Sequence, residues 1–153
     1  MSIAEILDQN SNNSSALRAR HFELAEKYQR ACELWKEAGE KNIQNGLQLE
    51  ARNSFDRALA LISRLPDNDD IKLLEIHLRN AIAIAIASTL GYANDSIKPH
   101  NEKALRLCEQ LDNPPELYAV FWSIALTQVV RADHYEGLGT PKTLVEMGDK
   151  NKD

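Results

Sequence analysis

The side chains able to hold a metal or move a proton are few in this 153-residue chain, and their spacing suits neither task. The four histidines, His21, His77, His100 and His134, show no HxxxH or HExxH interval, and neither cysteine lies at a metal-ligand interval from one of them. His77, inside the central helix, is the one histidine expected to be buried, and it reads as a hydrogen-bonded packing or surface residue rather than a metal ligand. Asp69 and Asp70 are adjacent carboxylates, but they stand where a helix begins, and negative charge there compensates the helix dipole more simply than it serves acid–base catalysis. No GxSxG elbow and no GxxxxGK[ST] phosphate loop occurs. The expectation is no catalytic residue, no metal ligand and no cofactor, hence no enzyme. Cys32 and Cys108 lie far apart inside helical patterns and read as free structural thiols, although a disulfide between them is not forbidden by sequence.

Composition narrows the field further. With 43% hydrophobic and 27% charged residues the chain can bury a core as one domain. A net charge of -5 argues against nucleic-acid or anionic-membrane partners, which need a basic surface. The most apolar run, Ala81 to Ala87, is too short to span a bilayer, and no signal peptide is evident, so the expected location is cytoplasmic.

The elements that would position any site are all helical. The central one runs from Ile71 to Leu90. Leu74, Leu78, Ile82, Ile86 and Leu90 recur at i+4 as a ridge, with Ile76 and Ile84 off it and Ala81, Ala85 and Ser88 forming a shallow face for a close neighbour. Such a helix needs partners on more than one side. Asp67 to Asp70 offer its cap and Gly91 its stop. Before it, Ala16 to Gln44 is helical, as one helix or as two with a break near Glu26 to Tyr28. Asn45-Gly46 is a turn, and Leu47 to Leu65 is a helix with Leu49, Ala51, Phe55, Ala58, Leu59, Leu61 and Ile62 inward, ended by Pro66. After it come Ser96 to Leu111 and, past Pro114-Pro115, Glu116 to Ala132. Residues 1–15 read as a flexible arm whose Ile3, Ile6 and Leu7 could instead dock as one amphipathic turn. Residues 16–133 are the helical domain, and 134–153, interrupted by Gly137, Gly139, Pro141 and Gly148, form a weakly structured tail.

Trp35, Gly39, Gly46, Ala51, Phe55 and Ala58 reproduce the spacing of a tetratricopeptide repeat, an antiparallel helix pair of about 34 residues in which small residues let the helices touch and aromatics fill the gap. The fold expected is therefore all-α, a TPR-like antiparallel helix-hairpin array of about three hairpins and six or seven helices. Across ARHFELAEKYQRACELWKEAGEK (19–41), ARNSFDRALALISRLPD (51–67), ASTLGYANDS (87–96) and ALRLCEQLDNPPELYAVFWS (104–123), the chain also resembles the helical-repeat region that follows AAA or STAND-type ATPase modules in bacterial class III adenylate or guanylate cyclases and related signalling regulators. The resemblance implies a regulatory, protein-binding scaffold. It brings no catalytic residues, and the chain closes soon after Arg131 where the family's array would continue.

Two surfaces follow from this reading. The helix 116–132 is apolar nearly all round, and Tyr118, Trp122, Leu126 and Val129 form a stripe expected to be buried by self-association or by a partner protein. Arg52, Asn53, Arg79 and Asn80 are the candidates for a groove that would instead receive a peptide or small ligand.

Overall fold

The computed structural model describes residues 14–112 and 114–131. Among these the chain is all-α, with six α-helices: α1 (Ser15–Leu24), α2 (Tyr28–Gln44), α3 (Gln48–Leu61) with a 3₁₀ turn at Ile62–Arg64, α4 (Asp69–Leu90), α5 (Ile97–Gln110) and α6 (Leu117–Arg131). The expected arm and tail lie largely outside the described residues. Ser14 and Ser15, however, belong to the helical domain: Ser14 Oγ accepts from Leu17 N–H as the N-cap of α1, and the buried Ser15 donates to Glu37 Oε1 at 2.7 Å.

The break left open by sequence falls at residues 25–27. Glu26 takes φ 59°, Glu26 N–H reaches Glu23 C=O, and Lys27 N–H reaches Phe22 C=O, the bond pair of a Schellman cap. The same pair recurs at the end of α2, where Gly46 (φ 74°) donates to Ile43 and Leu47 to Asn42. One turn uses glycine for the left-handed residue and the other does not, which is why only one was visible in the sequence.

Each helix packs on the next, and side chains also reach the next but one. Glu23 on α1 lies 4.0 Å from Arg57 on α3, Glu40 on α2 lies 3.5 Å from His77 on α4, and α4 touches α6. Such a pattern puts alternate helices in alternate layers, as in an antiparallel hairpin array. α4 stands between two cores. Leu78, Ile82, Ala83 and Ile86 join α1–α3 in one, whereas Ile76, with Leu73 beside it, joins α5 and α6 in the other. By length and composition this 22-residue helix could cross a membrane, contrary to the reading from its shorter apolar run; its apolar ridge is instead occupied by neighbouring helices.

Two expected core positions are exposed: Leu49 and Leu90. Leu49 lies roughly opposite the buried Ala51, Phe55 and Ala58 at 100° per residue. Leu90 continues the ridge of α4, but it ends a 22-residue helix whose neighbours α3 and α5 have 14 residues each. Off the ridge, Ile84 is also exposed and Ser88 faces solvent, while Ala85 is buried as expected.

The α2–α3 contact depends on two glycines in different ways. A Cβ at Gly39 would lie 2.4 Å from Phe55 Cε1, so the aromatic ring occupies the space of the missing side chain. A Cβ at Gly46 would meet nothing within 4 Å, and only its positive φ opposes substitution. Gly39→Ala is therefore expected to lower stability by about 1–3 kcal/mol through overpacking, and Phe55→Leu in the same chain should recover part of that loss. Gly46→Ala should cost about 1 kcal/mol with no such recovery. Urea unfolding of the single and double variants measures this, and strict additivity of Gly39→Ala with Phe55→Leu would contradict the contact.

Candidate functional site: the outer face of the last helix

α6 starts after Pro114-Pro115 and contains neither glycine nor proline, so nothing interrupts it before Arg131. Leu117, Val120, Phe121 and Ile124 recur at i, i+3, i+4 and i+7 and turn toward α5 and the second core. The polar residues that interrupt its sequence are turned inward too. Ser123 Oγ donates to Asn101 Oδ1 across to α5 at 3.1 Å, and Thr127 Oγ1 donates to Ser123 C=O at 2.7 Å, with both hydroxyl residues buried. The opposite face is apolar and open. Tyr118 is 40% exposed, Trp122 66% and Val129 66%, while Leu126 is half-buried at the edge of the stripe. Val130, 53% exposed, extends the face and was not among the expected stripe positions, although its i+8 relation to Trp122 could have included it.

The groove candidates divide. Arg52 on α3 and Arg79 on α4 are half-buried, and the charges of both are felt by His100 of α5. Arg52 Nε pairs with Asp56 at 3.6 Å, and Arg79 Nε donates to Glu75 Oε1 at 2.7 Å. Asn80 is half-buried, and neither its Oδ1 nor His100 Nδ1 has a hydrogen-bond partner among the described residues. Asn53 is exposed and apart from these pairings. The histidine expected to be buried was the wrong one. His77 is exposed and faces Glu40, whereas His100, on the amphipathic α5, is half-buried with its Nδ1 out of contact with solvent. Burial, and next the positive charge of Arg79, hold the His100 pKa below its ordinary value.

The two thiols are free and buried. Burial raises each to a pKa of about 11, and Cys32 Sγ donates to Ala58 C=O at 3.4 Å, a packing role. Among the described residues no group of three or more His, Cys, Asp or Glu side chains is placed to hold a metal. Compared with protein-family models, with curated proteins and with solved structures, the chain matches none.

The His100 environment makes a pH prediction. The folded imidazole holds its proton less tightly than the unfolded one, so the unfolded chain binds more protons as pH falls. The stability this contributes is full above the ordinary value of 6.5 and is lost as pH falls through 6.5 toward the lower folded value. Urea midpoints measured from pH 7.5 to 5 should therefore fall less steeply for His100→Gln than for the natural chain; parallel slopes would refute the assignment.

Proposed function

We propose that this chain is an interaction scaffold, a helical-repeat module that works by protein contact through the outer face of α6, with a partner protein or a second copy as the occupant. The observation that carries the reading is the inversion on that helix: its buried side takes Ser123 and Thr127, while Trp122, Val129 and Val130 stand open to solvent. Hydroxyls tolerate water better than an indole does, so a helix selected only to close a soluble array would have the opposite arrangement. The resemblance to repeat regions of ATPase-linked cyclases and regulators supports reading such a scaffold as a cytoplasmic regulatory module of bacterial signalling, with no catalytic role proposed for it.

A second reading rests on a separate observation. The unpartnered Asn80 Oδ1 and His100 Nδ1, beside Arg79 and Arg52, are polar groups that a peptide or small polar ligand could satisfy. In that case Arg79→Ala and Asn80→Ala would abolish binding of a peptide library while Trp122→Glu left it intact.

The leading reading is tested with an apolar dye. The natural chain at low concentration should bind anilinonaphthalene sulfonate in its native state, and Trp122→Glu should lose most of that signal with an unchanged far-UV spectrum. A native chain that binds no dye when monomeric would mean the face is already covered and would overturn the proposal.

A further inference from the structure

The α6 face has a graded shape that selects its occupant. Its first half presents the large Tyr118 and Trp122, and its second half presents Ala125, Leu126, Val129 and Val130. No charged residue occurs from Leu117 to Val130. We infer that the occupant is a second copy of this chain, its α6 lying antiparallel on the first about a two-fold axis near residues 123 and 124. This rests on the contact reading proposed above and names its partner.

Three features support the arrangement. First, an antiparallel pair sets large against small at every level, Tyr118 opposite Val129 and Trp122 opposite Ala125 and Leu126. A parallel pair would stack Trp122 on Trp122 and leave a gap between the valines. Helix dipoles also favour the antiparallel order. Second, head-to-tail stacking is opposed by the other end of the array. The outward line of α1 runs Leu17, Arg20, Leu24, so laying it on α6 would bury the Arg20 charge against apolar side chains. Third, the stretch from Leu117 to Val130 carries no charge, so two copies of it meet without burying one. Two partly covered aromatics and two valines offer on the order of 400–500 Å² per copy, about half of what each side of a stable interface contributes. The pair is therefore expected to be reversible, dissociating on dilution.

The test uses the full chain. Light scattering across a hundredfold dilution should show a dimer passing to a monomer, and Trp122→Glu should be monomeric throughout with its helical spectrum retained. Mild oxidation should link Tyr118→Cys to Val129→Cys when the two variants are mixed, with little linkage in either alone; the native Cys32 and Cys108 are buried and should not compete. Linkage of Tyr118→Cys to itself would overturn the antiparallel arrangement. A natural chain that stays monomeric at all concentrations would overturn the second copy as occupant. If that monomer binds the dye, the contact reading stands with a foreign partner; if it does not, the chain covers its own face and both readings fall.

Discussion

The contact between Gly39 and the ring of Phe55 sets the distance between α2 and α3, and the rest of the array is built outward from that distance. Because the ring fills the place of a Cβ, the helices approach closely enough for Cys32 to donate to the Ala58 carbonyl and for Ala51 and Ala58 to be fully buried. With the hairpin held there, Trp35 is gripped from two sides. Its indole N–H donates to Glu23 on α1 at 3.1 Å, and the Arg57 guanidinium of α3 lies 5.2 Å above its ring. The tetratricopeptide spacing is thus a packing device that fixes a first helix pair and offers its apolar edge to the next helix, α4.

α4 passes the packing on. Its length and its apolar residues on two sides let it close the core of α1–α3 and begin a second one with α5 and α6. The second core has fewer buried residues, and in it the Asn101 to Ser123 bond ties α6 to α5. An array built by stacking has no intrinsic end, since each helix covers the previous one and exposes its own far side. The exposed face of α6 is that far side.

Much of this was legible from residue types alone. The small and aromatic positions from Trp35 to Ala58 and the buried part of the α4 ridge, Leu78, Ile82 and Ile86, follow from side-chain size at helical intervals, and the cap of α4 falls on Asn68, within the Asp67 to Asp70 stretch that offered it. What was not legible depends on partners distant in sequence or on backbone conformations that no residue advertises. Glu26 adopts a left-handed φ without being glycine, so the α1–α2 corner carried no mark. Leu49 was counted inward because it is a leucine, although its angular position opposes the buried line of Ala51, Phe55 and Ala58. His100 is half-buried and feels the charges of Arg52, Asp56 and Arg79, all far back along the chain, whereas His77 was judged by apolar neighbours in sequence that turn away from it in the helix.

The same distinction bears on α6. Apolar content identified it as unusual, but content alone does not separate a helix buried on all sides from one that is half open. Its hydroxyls decide the matter. Ser123 and Thr127 are spaced at i+4 and lie on the buried side, where the first ties α6 to Asn101 and the second returns its proton to the helix backbone. With Ser123 and Thr127 satisfied inside, the face that α6 presents outside is mostly apolar and carries no charge. A helix whose hydroxyls already serve its own fold is suited to receive an apolar partner, and the taper from Trp122 to Val129 gives that surface a direction.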